Sequence, residues 1–342
     1  MDNPKVSVVM SVYNGEKHLK EAVDSILSQT FRDFEFIIVN DGSTDRTAEI
    51  LESYHDPRIS IVNNERNIGL TKSLNEGLKL AKGKYIARMD ADDISLPERL
   101  QKQVEFLDAH EEIGVVGTAA FRVDERGKVL SLPAVFTESS VIKENLLLGN
   151  QFVHGSVMLR RECIYTVGPY REEFKYTQDY DLWLRLSEKY DVANIAEPLC
   201  KLRINMKALS VAKQAEQNMY ARLARELSKQ RARGGFDVLQ NGQREEFEQI
   251  IRDLQSKNAS QGKTEVAAAY DYVGRLFYEG SDYISAIRLL TRSLSAKPFR
   301  QDTINLILKC MIRLLIPGAL IGVQSRLKRC AVSVMGKKPR NA

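Results

Sequence analysis

The run that decides the fold is Val6-Ser-Val-Val-Met-Ser-Val-Tyr-Asn14, an apolar, β-rich segment that ends in polar residues. A second apolar run, Phe34 to Val39, leads into Asn40-Asp-Gly-Ser-Thr-Asp45. A later one, Tyr85 to Met89, leads into Asp90-Ala-Asp-Asp93. Continuous apolar runs of this length are typical of strands buried on both faces of a parallel sheet. They predict an α/β fold with polar loops at the strand ends.

The segments between these runs have the apolar spacing of helices. Glu16 to Gln29, the stretch from about Thr47, and Leu70 to Ala81 are predicted helices, with a short strand at Ile59 to Val62. Strands that alternate with helices predict a Rossmann-like α/β/α sandwich, in which ligands bind beyond the carboxyl ends of the strands. After Glu112 short strands and helices are mixed, and we expect this half to form the other wall of the cleft.

Charge and cysteine content exclude several classes of protein. The net charge is +5, yet Thr303 to Ala342 contains eight Lys or Arg and no acidic residue, so the rest of the chain is net acidic. This argues against nucleic-acid binding by the N-terminal region. The four cysteines are widely spaced and predict neither a disulfide framework nor a zinc site. No signal peptide precedes the first strand, so we expect a cytoplasmic location.

Asp90 and Asp92 lie on the loop after the predicted strand Tyr85 to Met89. Carboxylates in this position suit Mg²⁺ or Mn²⁺, which take oxygen ligands and usually share them with substrate phosphates. The alternative is an acidic helix N-cap, because Leu96-Pro97-Glu98 begins a helix shortly afterwards. The position after a buried strand in a nucleotide-binding layout favours the metal site.

Three other positions each allow two interpretations. Asp41 could accept a hydrogen bond from a nucleobase or ribose, although Asp-Gly-Ser is also ordinary turn chemistry. Asp179, near the start of a predicted helix, could cap that helix or act as a general base. His154 could line the sugar pocket or be a hydrogen-bonded structural histidine.

Together, these motifs resemble those of family 2 glycosyltransferases, which have the GT-A fold. The matching segments, in the family's order, are Val6-Ser-Val-Val-Met-Ser-Val-Tyr-Asn14, Asn40-Asp-Gly-Ser-Thr-Asp45, Asn67-Ile-Gly69, Met89-Asp-Ala-Asp-Asp93 and Asp179-Tyr-Asp-Leu-Trp183. The resemblance is close from Lys5 to about Asp93 and continues in islands to about Asn205.

The resemblance implies a role for each matching residue. These roles are base contact for Val12 and Tyr13, base binding for Asp41, nucleotide binding for Lys72, metal and diphosphate binding for Asp90 and Asp92, and general-base catalysis for Asp179. Gln178 stands where the family motif usually has Glu, and Asn205 stands where many members have His. Candidates for the donor or acceptor pocket are His154, Gln178, Arg203 and Asn205.

The implied activity is transfer of a sugar from a nucleotide-sugar, with UDP favoured, to an acceptor hydroxyl. The transfer would invert the anomeric configuration, need Mg²⁺ or Mn²⁺, and serve bacterial-type surface polysaccharide or glycoconjugate synthesis. The acceptor would be a saccharide or a lipid-linked saccharide. One alternative is a sugar nucleotidyltransferase, which would favour a Gly-rich basic loop after the first strand. The other is an inactive helical adaptor, suggested by the C-terminal helices.

We predict four regions along the chain. They are a GT-A catalytic domain (1–206), a polar helical linker (207–263), a helical hairpin that resembles one tetratricopeptide repeat (264–300) and an amphipathic basic tail (301–342). Ile304 to Val323 is apolar, but Lys309, Arg313 and Pro317 interrupt it, which disfavours a spanning helix. This composition predicts a helix lying on anionic lipid at the inner face of the plasma membrane. Packing on the preceding hairpin is the alternative.

Overall fold

The computed structural model of the protein describes residues 3–204, 211–298 and 300–315, without the side chains of 211–214 and 257–263. The chain divides into two compact units, and the boundary falls between Gly262 and Lys263. The first unit contains a mixed sheet with a hydrophobic core on each face. The second unit, as far as it is described, is helical.

The strands are β1 (Val6–Val12), β2 (Phe34–Asn40), β3 (Ile59–Asn63), β4 (Tyr85–Asp90), β5 (Ile94–Ser95), β6 (Ile113–Val123), β7 (Val129–Ser131), β8 (Met158–Arg160) and β9 (Asp191–Arg203). The helices of the first unit are α1 (Leu19–Leu27), α2 (Thr47–Glu52), α3 (Leu70–Leu80), α4 (Arg99–Ala109), α5 (Ser139–Leu146), α6 (Arg161–Val167), α7 (Gln178–Ser187) and α8 (Val211–Gly234). Helix α9 (Arg244–Glu279) begins in the first unit and ends in the second, which continues with α10 (Tyr283–Ala296) and α11 (Gln301–Leu315).

The sheet brings the carboxyl ends of three strands to one edge. The strand order is β3-β2-β1-β4-β8-β6-β9-β5, with β7 paired to β6. Strand β1 is parallel to both of its neighbours, and its register places Val12 beside Asn40 and Ser11 beside Asp90. The predicted α/β sandwich followed by helices is therefore confirmed.

The two cores explain the apolar runs of the sequence. All seven residues of β1 are buried, because helices cover the sheet on both sides. Leu19 of α1 and Leu100 of α4 belong to the core on one face. Leu74 of α3 and Trp183 of α7 belong to the core on the other.

The segment predicted as a polar linker contributes to the core of the first unit. Helix α8 buries Leu223 and Leu227 there, and Phe247 of α9 joins them. The polar composition of this segment reflects its exposed faces and its paired buried charges. Arg231 of α8, for example, pairs with Asp237, which is itself almost fully buried. The four predicted regions stay a prediction, but the first compact unit extends to Gly262.

The second unit is built around tight helix packing. The turn between α9 and α10 lies at 280–282, and the Asp282 carboxylate accepts a hydrogen bond from the Ser285 N–H. Helix α9 begins at Arg244, well before the predicted hairpin, because the polar residues that precede it continue the helix. None of the helices described here is long and apolar enough to cross a membrane. Residues 316–342 of the predicted tail lie outside the described residues.

Leu227 tests whether α8 is part of the core. Replacing this fully buried residue with alanine should lower the free energy of unfolding by about 2–5 kcal/mol, because the change leaves a cavity. Glu226→Ala on the exposed side of the same helix is the control and should change it by less than about 0.5 kcal/mol. Urea unfolding followed by the fluorescence of Trp183, the single tryptophan, reports on this core. Equal stability of the two variants would show that α8 does not support the fold.

Candidate active site at the carboxyl ends of the strands

A cavity of 640 Å³ opens where β1 and β4 end. Val12 and Tyr13 line one side of it, and Asp90 and Asp92 line another. The Tyr13 ring is 49% exposed, which leaves an aromatic surface that a nucleobase could stack on. The cavity therefore joins two of the predicted groups, the base contacts and the metal-binding carboxylates.

The loops after β1 and β2 are bonded to each other. Asn14 adopts a left-handed backbone conformation with φ of 52°. Its side-chain oxygen accepts a hydrogen bond from the Thr44 N–H at 2.8 Å, and its own N–H donates to the Ser43 hydroxyl at 3.0 Å. Asn tolerates this conformation better than most residues, because its short polar side chain bonds locally. These contacts hold Tyr13 at the mouth of the cavity.

A buried arginine lies directly beneath the acidic loop. Arg88 is 3% exposed within β4, and its guanidinium donates to the Asp90 carboxylate at 2.5 Å. Burial alone would raise the pKa of Asp90, but Arg88, with His154 and Arg99, outweighs this effect and holds the pKa below its ordinary value. Asp90 is therefore ionised at neutral pH.

The other two carboxylates of the loop are less well compensated. Burial and the negative charge of Asp90 raise the pKa of Asp92. Burial, followed by Asp90 and Asp92, raises the pKa of Asp93 well above its ordinary value. Three carboxylates thus crowd one strand end, where burial and mutual repulsion oppose the ionisation of Asp92 and Asp93.

These residues fit a divalent cation that the substrate helps to bind. Burial, and then the charge of the neighbouring carboxylates, raises the pKa values of Asp92 and Asp93, and a bound cation would offset both effects. Among the described residues, no three His, Cys, Asp or Glu side chains are arranged to hold a metal on their own. A Mg²⁺ or Mn²⁺ ion at Asp90 and Asp92 would need further oxygen ligands, and a donor diphosphate carries them.

One segment, 150–155, runs from the predicted base to the acidic loop. At one end, the Asn150 amide donates to the Asp179 carboxylate at 2.8 Å. At the other end, Gly155 lies so close to the loop that a Cβ atom would be 2.8 Å from Asp90 Oδ2 and 2.9 Å from Asp93 Oδ2. Between them, His154 is bonded to the Tyr170 hydroxyl at 3.0 Å. Burial and Arg88 lower the pKa of His154, although Asp179 and Asp90 oppose this effect.

Two other predicted site residues, Asp41 and Lys72, do not line the 640 Å³ cavity. Asp41 is 2% exposed, and its carboxylate accepts hydrogen bonds from the N–H groups of Ile68 and Gly69 at 2.8 and 2.9 Å. It therefore holds the loop before α3. Lys72 is half exposed and lies 3.9 Å from Glu172.

Gln178, Arg203 and Asn205 complete the set of predicted residues. Gln178 is buried at the first position of α7. Arg203 is 6% exposed and supports the acidic loop from behind. Its backbone N–H donates to Asp93 and its side chain donates to the Asp92 carbonyl, both at 2.9 Å. Asn205 lies outside the described residues.

Sequence reasoning missed Arg88, Asn150 and Gly155. Arg88 leaves a signal, because a charged residue interrupts an apolar strand two positions before Asp90, and residues two apart share one face of a strand. Asn150 and Gly155 leave none, because they meet Asp179 and Asp90 only after the chain has folded.

The chain is similar to known glycosyltransferases over most of its first unit. The family model described as Glycosyl transferase family 2 matches residues 7–164. EpsE of Bacillus subtilis (strain 168) is 41% identical over 208 residues, which cover 58% of this chain and 73% of EpsE. The amylovoran biosynthesis glycosyltransferase AmsE of Erwinia amylovora is 35% identical over 202 residues, which cover 58% of this chain and 75% of AmsE. The chain belongs to family 2 of the glycosyltransferases, and it is an enzyme of glycosyl transfer.

Two solved structures share the fold. One is S. aureus TarS 1–349 in complex with UDP-GlcNAc, with a TM-score of 0.57, 19% identity and 91% of each chain covered. The other is the mannosyltransferase PcManGT from Pyrobaculum calidifontis in complex with GDP-Man and Mn²⁺, with a TM-score of 0.51 and 18% identity. That match covers 93% of this chain and 89% of PcManGT. At these identities the likeness concerns the fold alone, and it confirms the GT-A prediction.

Arg88 should be the main support of the acidic loop. Arg88→Met removes the cation and leaves the Asp90 carboxylate uncompensated, which should lower the free energy of unfolding by about 3–5 kcal/mol. Adding Asp90→Asn should recover part of this loss, because it also removes the uncompensated charge. Arg46→Met, which breaks an exposed pair with Glu49, is the control and should have no measurable effect. If Arg88→Met is as stable as the parent in urea unfolding, this role of Arg88 is contradicted.

Proposed function

We propose that the enzyme transfers a hexose from a UDP-sugar to an acceptor hydroxyl with inversion at the anomeric carbon. The observation that carries the proposal is the single cavity in which Tyr13 and Val12 face Asp90 and Asp92. This arrangement offers a stacking surface for a base near carboxylates that suit a cation and diphosphate. UDP-GlcNAc in TarS and GDP-Man in PcManGT are consistent with a nucleotide-sugar donor.

In the proposed mechanism, Asp179 acts as the general base. It accepts the proton of the acceptor hydroxyl while that oxygen attacks the anomeric carbon and the nucleoside diphosphate leaves from the opposite face. One displacement forms the new glycosidic bond and breaks the bond to the diphosphate, so the configuration inverts. The Asp179 side chain is half-buried, with one carboxylate oxygen held by Asn150.

Asp90 and Asp92 would hold a Mg²⁺ or Mn²⁺ ion together with the donor diphosphate. When bound, the ion would supply positive charge for the leaving group. Lys72 would add a second positive charge for the nucleotide, and its half-exposed ammonium leaves it free to move toward a donor. Gln178, Arg203, Asn205 and His154 would shape the sugar and acceptor pocket.

We further propose a role in surface polysaccharide or glycoconjugate synthesis, with a saccharide or lipid-linked saccharide as acceptor. The name of AmsE, an amylovoran biosynthesis enzyme, supports this part. Membership of family 2 favours transfer over the alternative of a sugar nucleotidyltransferase. The intact carboxylates of the loop disfavour an inactive adaptor, which would have no need of them.

Two substitutions separate donor binding from chemistry. Asp92→Asn should nearly abolish turnover and the metal-dependent thermal shift with nucleotide-sugars. Asp179→Asn should keep that thermal shift but reduce turnover by about 100- to 10,000-fold, because only proton removal is lost. A panel of nucleotide-sugars with Mn²⁺ identifies the donor first, and nucleoside diphosphate release then measures turnover. Asp253→Asn, at an exposed position of α9, is the control.

Either of two results would contradict the assignment. Full turnover in Asp92→Asn with unchanged metal dependence would show that Asp92 does not bind the metal. Loss of donor binding in Asp179→Asn would make Asp179 a ligand or a structural residue, and the base would have to be sought elsewhere.

We also propose that the enzyme attaches to an anionic membrane surface through α11 and the residues after it. One face of α11 exposes Leu308, Met311, Ile312 and Leu315, which are 47–79% exposed. The opposite face of α11 packs against the rest of the second unit, because Leu306 and Cys310 are buried there. Arg313 packs on the Tyr278 ring at 4.9 Å, whereas Lys309 is exposed. Among the described residues, Lys309 is therefore the cation of α11 that faces solvent. The 27 residues that follow contain six basic residues and no acidic residue, which complements anionic lipid.

Vesicles of phosphatidylcholine and phosphatidylglycerol test this attachment. The double variant Leu308→Ser/Ile312→Ser should weaken vesicle binding by at least about tenfold. Without these two side chains, less apolar surface is removed from water when the protein binds the membrane. Binding of the parent should also weaken with salt. Leu80→Ser, which removes a similarly exposed leucine from α3, is the control and should bind like the parent. If the parent ignores these vesicles at low salt, the apolar face is instead covered by the protein itself.

A further inference from the structure

Asn150 is hydrogen-bonded to Asp179, the predicted base. Its side-chain oxygen accepts a hydrogen bond from the Phe152 N–H at 3.0 Å, which fixes the orientation of the amide. The amide nitrogen therefore faces Asp179 Oδ2, at 2.8 Å. The reverse orientation would place the Asn150 amide oxygen against the Asp179 carboxylate. It would also place the Asn150 NH₂ group, a second donor, against the Phe152 N–H. The contact links residues that are 29 positions apart, so it is not a local loop closure.

The loop that carries Asn150 is held from several sides. The Gln151 amide donates to the carbonyls of Asn145 and Gly149 at 3.1 and 2.9 Å. The Tyr180 hydroxyl, next to Asp179 in α7, donates to the carbonyl of Leu146. Asn194 of β9, which is 3% exposed, donates to the Gln151 carbonyl. Asn150 therefore meets Asp179 from a supported loop, which is what precise orientation of a side chain requires.

We propose that Asn150 is a positioning residue that fixes the orientation of the Asp179 carboxylate for removal of the acceptor's proton. The inference rests on the proposed role of Asp179 as general base. Asn150 does not line the 640 Å³ cavity that we propose for the donor. It acts by occupying one carboxylate oxygen, so that the other is left to receive the proton.

Asn150→Ala should lower kcat by about 10- to 100-fold. Loss of a residue that orients a metal ligand has an effect of this size, and Asn150 orients the base in the same way. The affinity for UDP, measured by titration calorimetry, should stay that of the parent, because the donor cavity does not include Asn150. Asn150→Gln keeps a donor amide and should recover part of the loss. Turnover is measured as diphosphate release from the nucleotide-sugar that the parent uses.

Asn150→Asp gives a readout that a purely structural role would not change. The substitution preserves shape and the bond from the Phe152 N–H, but it sets two carboxylates 2.8 Å apart. They cannot both be ionised easily, so the pair retains a proton to higher pH. The acid limb of the kcat profile should therefore move to higher pH. The other titratable groups near Asp179 are His154, whose pKa is lowered by burial, and Tyr170, whose pKa is raised by burial, and both move away from the neutral range.

Gln151→Ala is the matched control, because it removes two hydrogen bonds from the same loop without touching Asp179. The inference is overturned if Gln151→Ala and Asn150→Ala lower kcat equally, or if Asn150→Asp leaves the acid limb in place. Its failure differs from failure of the proposed function. Full turnover in Asp179→Asn would show that Asp179 is not the general base. If Asp179→Asn is inactive but the Asn150 variants keep the activity of the parent, only the positioning role is overturned.

Discussion

The ion pair between Arg88 and Asp90 is the constraint on which the site depends. A strand end that carries three carboxylates repels itself, and burial makes that repulsion stronger. Arg88, inside β4, offsets the charge of Asp90. Arg203 donates to the Asp93 carboxylate through its backbone N–H and to the Asp92 carbonyl through its side chain. Burial, and then the charge of the neighbouring carboxylates, raises the pKa values of Asp92 and Asp93, and a cation bound there would offset both effects. The stability of the loop and the proposed affinity for a cation would then both follow from one charge arrangement.

The second organising feature is the segment 150–155, which connects the acidic loop to the proposed base. Gly155 has no side chain, and this is what allows the backbone to pass within van der Waals distance of Asp90 and Asp93. Five residues earlier, Asn150 reaches Asp179. The spacing between the acidic loop and the proposed base is thus set by one short piece of backbone rather than by two independent loops. A small shift of this segment would change both ends of the site together.

Much of this architecture could be predicted from local pattern. The apolar runs indicated the parallel strands, and parallel strands require their carboxyl ends to meet at one edge, so the meeting of Tyr13 with Asp90 and Asp92 followed. The segment 211–262 shows where such reasoning stops. Its composition is polar, and a polar helix can be a linker or a packed element according to which residues face inward. Leu223 and Leu227 are buried because a core is present to receive them, and the paired charges of Arg231 and Asp237 conceal how much of the segment is inside.

The sequence by itself determined the order of strands and helices, the family, and the residue types at the strand ends, because each depends on periodicity or on short motifs. Only the tertiary structure decided that Asp41 is occupied by the N–H groups of the loop before α3, and that Arg203 supports the acidic loop from behind. It also decided that Asn150, which carries no motif, bonds to Asp179. The physical reason is the same in each case. A side chain's partners depend on which distant segments packing brings within about 3 Å, a hydrogen-bond distance that no local pattern in the chain records.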